Sequence, residues 1–492
     1  MKIKNGSLFL LVFLFLLISI LGDTGCANIV APMGGPRDTI PPRLVLATPH
    51  DSAKLFPLTA AKGTSNKIVF YFNEYIDPKD IRTELIVSPV PKTDPIVDSK
   101  LRTLTVRIKD TLEPNTTYSL NFGNAIRDVN EGNILKNFTY VFSTGKYIDS
   151  MQYSGHVIVA NTGKIDSTLI VLLHKKLDDS AVVKSKPRYI ARVDSTGRFK
   201  FRYLEPGKYA LYAMKDEGGS HQYLSKGQLF AFADSPVVIG PGGTPPLVLY
   251  AYAEGPETKS GNKSSSSGGA KSSGGEKKSD KEKEKDKRLQ FQTNLSNGVF
   301  DVLDTFRFQF PNPLKDFDSS KIKFTDENFQ SIPDKDYRFM EGDTNNRLFY
   351  MLYTWPTDTK YHLILAKDFA QDSSGRMLLK TDTISFRTRK DIEYGEVWIR
   401  IFNLDLNRKP VLQFVVGDAV KYSVPLRNNN AYKTQLFTPG DYELRVLYDT
   451  NGNGVWDPGE FFGKHRQPEQ VITVLKKFTV KPNWDNDKDI TL

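Results

Sequence analysis

The sequence reads as all-β: β-sandwiches in tandem, preceded by a signal helix and interrupted by one disordered linker. Three observations carry this. Aromatic residues make up 12% of the chain, and Thr, Val, Ile and Tyr abound, which suits pleated, half-buried strands. Short alternating segments recur between Pro, Gly, Asn and Asp turn signals. A late block, Thr438–Glu460 (TPGDYELRVLYDTNGNGVWDPGE), also repeats part of an earlier one, Glu205–Asp216 (EPGKYALYAMKD). Pro206, Gly207, Tyr209 and Asp216 hold the same offsets as Pro439, Gly440, Tyr442 and Asp449. A length of 492 residues accommodates about three or four modules.

The N-terminus carries Lys2 and Lys4, an apolar run from Leu8 to Leu21, small residues, and Cys26, the only cysteine. Residues 1–25 read as a secretory signal peptide, too short and wrongly flanked for a spanning helix. With no disulfide partner and a position at the processing point, Cys26 resembles the acylated residue of a bacterial lipoprotein. Gly25 fits the lipobox and Asp23 departs from it. Residues 26–43, rich in Pro and Gly, read as an extended tether.

The formal charge of +10 falls to +8 without Lys2 and Lys4, and residues 254–288 carry ten basic against seven acidic side chains. The folded modules are therefore only mildly basic. No stripe of clustered Lys/Arg with stacking aromatics appears, which argues against a nucleic-acid partner.

Residues 44–147 show short strands at Lys67–Phe72, Leu101–Ile108, Thr117–Phe122 and Phe138–Thr144, with turns at Asp77-Pro78, Pro114-Asn115 and Asp128–Gly132. This spacing predicts a sandwich of about 100 residues. The Asn73-Glu74 step, the Tyr-bearing late strand, the Asp…Gly turn and the closing Phe-Ser-Thr-Gly resemble the bacterial Ig-like domain of the S-layer SbsA type. The opening CANIVAPMGGPRDTIPP resembles the mature start of Bacteroidetes surface lipoproteins carrying that domain. Residues 150–253 form a second β unit, whose GRFKFRYLEPGKYALYAMKD resembles carboxypeptidase-regulatory, transthyretin-like domains. That resemblance implies a seven-stranded, non-catalytic sandwich. Pro presets one turn dihedral and Gly tolerates positive φ, so the pair makes a tight reversal, after which Tyr209, Leu211 and Ala213 share a face.

Residues 254–289, dominated by Ser, Gly, Lys and Glu, read as a solvated, disordered linker. Residues 290–390 repeat the first sandwich in divergent form: Phe306–Phe310 matches Ile68–Phe72, Tyr361–Leu365 matches Tyr118–Phe122, and Asp372…Gly375 matches Asp128…Gly132. Residues 394–492 repeat the transthyretin-like unit.

One loop carries metal chemistry. Asp449–Glu460 fits the twelve-residue calcium pattern D-x-[DN]-x-[DN]-G-x5-E. Calcium takes six to eight hard oxygen ligands. Here they map to Asp449, Asn451, Asn453, the Val455 carbonyl, Asp457 and Glu460. With few charged ligands, the expectation is a weak, extracellular-type site. A strand enters the loop where an EF-hand has a helix, and the same residues also suit a hairpin held by Asx turns. The first copy, Asp216–Tyr223, lacks the Asn pair and the terminal acid.

Six scattered histidines and the absence of HExxH, GxSxG or phosphate-loop patterns argue against an enzyme. His174 reads as a strand-end residue. Trp398 reads as core, Trp456 as exposed. The expected protein is a non-enzymatic outer-membrane lipoprotein on the periplasmic or cell-surface side. It would be a rod of sandwiches that contacts an envelope protein or, alternatively, a glycan, with the Asp449 loop at its distal end. An envelope hydrolase is the remaining reading.

Overall fold

The computed structural model describes residues 37–59, 66–255, 288–427 and 429–492. The signal segment, Cys26, most of the tether and nearly all of the 254–289 linker lie outside the described residues. The chain divides into two compact units, Met1–Asp149 and Ser150–Leu492.

The first unit is one sandwich. Strands Leu44–Thr48, Asn66–Phe72, Thr103–Ile108 and Ile96–Lys100 lie side by side in that order, all antiparallel. The second sheet runs Ile86–Ser88, Thr117–Asn121, Thr139–Ser143. Alternation places Ile68, Phe70 and Phe72 against Leu104, Val106, Leu120, Phe122, Tyr140 and Phe142 in one core.

Two polar details lock this sandwich. The buried Asp128 carboxylate accepts the backbone N–H groups of Glu131, Gly132 and Asn133, closing the Asp…Gly turn. Thr144 accepts the N–H of Thr116 and donates to the Glu113 carbonyl, tying the closing strand to the turn before its neighbour.

Residues 288–390, in the second unit, repeat both the strand order and these locks. One sheet runs Gln292–Thr293, Phe306–Gln309, Leu348–Leu352, Arg338–Glu341, and the other Val299–Phe300, Asp382–Thr388, Lys360–Leu365, Ile322–Asp326. Asp372 takes the N–H groups of Ser374 and Arg376, and Thr388 takes the N–H of Thr359 while donating to Pro356.

The two Pro-Gly-x-Tyr regions also share one topology. In residues 150–253, Arg198–Leu204, Met151–Val159 and Leu247–Ala251 form one sheet, the last pair parallel. Tyr189–Arg192, Leu169–His174, Gly207–Lys215 and Phe230–Phe232 form the other, with Val237–Ile239 pairing the start of Gly207–Lys215. In residues 394–492 the counterparts are Ala431–Phe437, Gly395–Phe402, Asp485–Thr491, and Ala419–Pro425, Pro410–Val416, Gly440–Tyr448, Gln470–Val480. The motif tyrosine does the same work in both: Tyr209 donates to the Glu205 carbonyl and Tyr442 to the Thr438 carbonyl, each four residues upstream.

Residues 150–492 pack as one compact unit, because the sandwiches at 150–253 and 394–492 bury faces against each other.

Asp128 supplies a test of the turn lock. Burial opposes its ionisation, but three backbone N–H groups outweigh it and hold the carboxyl below its ordinary value. A depressed folded pKa stabilises above the unfolded pKa and is lost as pH falls through the folded value. Replacing Asp128 by Ala should therefore cost about 1–3 kcal/mol at pH ~7. In urea titrations of the first unit, the gap from wild type should shrink on acidification.

Candidate functional site: the Asp449 loop and its aromatic socket

Strand Gly440–Tyr448 delivers the loop, and the buried residue that follows it, Asp449, organises it. Asp449 Oδ1 accepts the N–H of Gly452 at 2.6 Å and of Asn453 at 3.2 Å, and Oδ2 that of Gly454 at 2.7 Å. Asn451 and Asn453 each direct a side-chain NH2 to Asp457 Oδ2, while their oxygens take the N–H groups of Asn453 and Val455. The side chains of four of the six calcium candidates thus share one hydrogen-bond network, into which Val455 donates its backbone N–H. Val455 is exposed beside it.

Glu460 stands apart from that network. Its carboxylate is 2.9 Å from Lys464 Nζ, a contact that holds its pKa down, and its backbone bridges to Arg466. The buried acid that closes the loop is Glu469, nine residues further on. Its Oε1 accepts from the N–H and hydroxyl of Thr450, and its Oε2 from the N–H of Asp457. The twelve-residue pattern has no place for Glu469, so sequence reading missed it. Among the described residues no group of three or more His, Cys, Asp or Glu is arranged to hold a metal ion.

Both tryptophan assignments are corrected. Trp456 is half-buried: its Nε1 donates to the Glu469 carbonyl, and its ring packs on Val411, Leu447 and Val471. Trp398 points away from the core, since Val397, Ile399 and Ile401 take the inward positions, and it lies under Arg400 and Lys433.

Beyond Glu460 the chain inserts a plug into residues 150–253. Phe461, only 1% exposed, sits 4.9 Å from Phe232, 5.2 Å from Phe230 and 5.6 Å from Tyr212, ring centre to ring centre. Phe462 contacts Tyr223, and His465 lies over Phe232 while its Nε2 is 2.7 Å from Asp179. Gln467 binds the Phe232 carbonyl and Asp234, and the Phe461 N–H donates to Glu254. Backbone approach is close enough to demand glycine: a Cβ on Gly459 would lie 2.6 Å from the Tyr252 ring.

A second contact runs along the sheet. Val411, Gln413, Arg445, Leu447 and Val471 face away from the core of their own sandwich yet are buried. The Ala160 carbonyl accepts the Val471 N–H, Thr473 donates to Thr162, and Lys164 pairs with Asp418. Arg445, 1% exposed, is held by Glu443 at 2.7 Å. The segment beyond the loop and this sheet face together fasten one sandwich to the other. Near-continuous apolar runs such as Tyr209–Met214 mark strands buried on both faces, and that signal was there to be read.

His174 does end its strand, but it is buried, and burial lowers its pKa to about 4. It is a neutral ring against Tyr212 at physiological pH.

Residues 38–144 match the bacterial Ig-like domain family. No curated protein sequence matches the chain. Solved structures with some similarity include the Bacillus anthracis TIE protein, at 10% identity over 94% of this chain and 76% of that one, with a TM-score of 0.17. The N-terminal part of the bacterial S-layer protein SbsC aligns at 15% identity over 43% of this chain and 44% of that one, with a TM-score of 0.16. BcpA, the major pilin subunit of Bacillus cereus, aligns at 9% identity over 69% and 98%, with a TM-score of 0.16.

Removing the plug tests the site. Phe461→Ala should cost about 3–5 kcal/mol, the usual loss for a truncated buried phenylalanine. The loss should appear as a lower urea midpoint together with dye binding to the vacated aromatic socket.

Proposed function

We propose that this protein is a non-enzymatic, exported cell-envelope component that works as a structural or protein-contacting module, anchored at the outer membrane by a lipid on Cys26. The observation that carries this reading is the use to which the candidate site's residues are put. Asp449, Glu469 and Trp456 shape a loop, and the loop seats Phe461 in an aromatic socket. These groups transmit mechanical coupling between sandwiches, which suits a load-bearing or spacing role. The bacterial Ig-like domain at 38–144 supports a place at the cell surface. The transthyretin-like reading of 150–253 and 394–492 belongs to the same proposal and draws support from their shared strand order and Tyr hydrogen bond.

Calcium at the Asp449 loop is part of this proposal. Asp449, Asn451, Asn453 and Asp457 gather oxygen-bearing side chains in one network, and each Asn has an oxygen to offer as well as an NH2. An ion there would stiffen the base of the plug.

Two experiments test the proposal. In the native cell, a palmitate analogue should label the wild type and leave Cys26→Ser unlabelled; label on both, or on neither, removes the anchor. Calcium at about a hundredfold its Kd should stabilise the loop by about 2.7 kcal/mol. A calcium titration followed by thermal melting should then raise the Tm of wild type and not that of Asp457→Ala; equal melts with calcium and with chelator remove the ion.

A further inference from the structure

A cavity of about 720 Å³ opens beside the plug. Residues 233–248 form much of its wall, Tyr153, Phe232 and Tyr250 supply aromatic surface, and Gln467 and Gln470 complete it from residues 394–492. Both sandwiches thus contribute to its wall. Its size suits a ligand of one to two sugar rings.

The polar groups here are few and set in place. The Gln467 NH2 is clamped between the Phe232 carbonyl and Asp234 Oδ1, which also fixes that carboxylate. The Gln470 oxygen accepts from Arg408 at 2.8 Å, so the group it has to offer is its NH2. Tyr153 is 2% exposed, and its hydroxyl has no hydrogen-bond partner. An unpaired buried hydroxyl is costly and rare enough to require a reason. Burial pushes its pKa up to about 12, so it remains a neutral donor. No Lys or Arg lines the cavity, which disfavours an anion, and the lone carboxylate of Asp234 is already hydrogen-bonded.

We propose that this cavity binds a neutral saccharide, its apolar ring face on Tyr250 and Pro245-Pro246 and its hydroxyls on Tyr153, Asp234 and Gln470. Aromatic and proline surface beside alternating donors and acceptors matches a sugar, which carries an apolar face and vicinal hydroxyls. The inference goes beyond a structural role and does not depend on calcium or on the lipid at Cys26.

The test uses the full mature chain carrying Cys26→Ser, with maltose, cellobiose and diacetylchitobiose as probes in saturation-transfer NMR at millimolar concentration. At least one disaccharide should receive saturation from the protein. Tyr153→Phe should weaken that binding about tenfold, the worth of one lost hydrogen bond, while its Tm stays equal to or rises above wild type. Gln470→Ala, at a half-buried position, should weaken binding as well. Absence of transfer to all three sugars overturns the proposal. So does unchanged affinity in both variants, or occupation of the cavity by a proline-rich peptide that no sugar displaces.

Discussion

The insertion of Phe461 among Phe230, Phe232 and Tyr212 is the interaction on which the second compact unit depends. A buried phenylalanine contributes roughly 1.5–3 kcal/mol by removal from water, and its ring contacts add about 0.5–1.5 kcal/mol each. Such gains require that the ring be presented without further ordering cost. The Asp449 loop meets that need, since Asp449 and Glu469 accept its backbone N–H groups and Asp457 accepts the side-chain NH2 groups of Asn451 and Asn453. Gly459 then lets the backbone lie against Tyr252, where any side chain would collide.

The plug does not act alone. A turn around Gly163 comes so close to strand Gln470–Val480 that a Cβ would sit 2.7 Å from the Val471 carbonyl. Val471 and Thr473 bond to that turn, and the apolar positions beneath it are buried on the side facing away from their own core. Sheet face and plug together bring Gln467 and Gln470 to the rim of the cavity. Fold, docking and candidate ligand site are therefore consequences of one interface.

Much of this was legible in the sequence. Alternation and turn residues identified the strands, and the offsets Asp128…Gly132 against Asp372…Gly375 marked a turn whose buried carboxylate recurs in the structure. The Pro-Gly-x-Tyr offsets likewise correspond to a repeated hydrogen bond from Tyr209 and Tyr442. What stayed hidden is tertiary. Glu469 is remote in sequence from the loop it closes, and a linear pattern instead favoured Glu460, which Lys464 engages. Trp456 looked exposed because its neighbours are polar, yet it covers an apolar patch on the outward face of its own sheet. Phe461-Phe462 carried a signal, two adjacent aromatics beyond a polar loop, but nothing local names the socket that receives them.

The central claim is that the sandwiches at 150–253 and 394–492 are one cooperative body fastened by the Phe461 plug. Amide hydrogen exchange on the full mature chain tests it most directly, because Val471 donates its N–H to Ala160 in the other sandwich and Phe461 donates to Glu254, the residue that follows that sandwich. The account predicts that these amides exchange as slowly as those of strand Phe230–Phe232, at the rate of a shared opening. Exchange of Phe461 and Val471 at the rate of a free loop, with Phe230–Phe232 still protected, would contradict it.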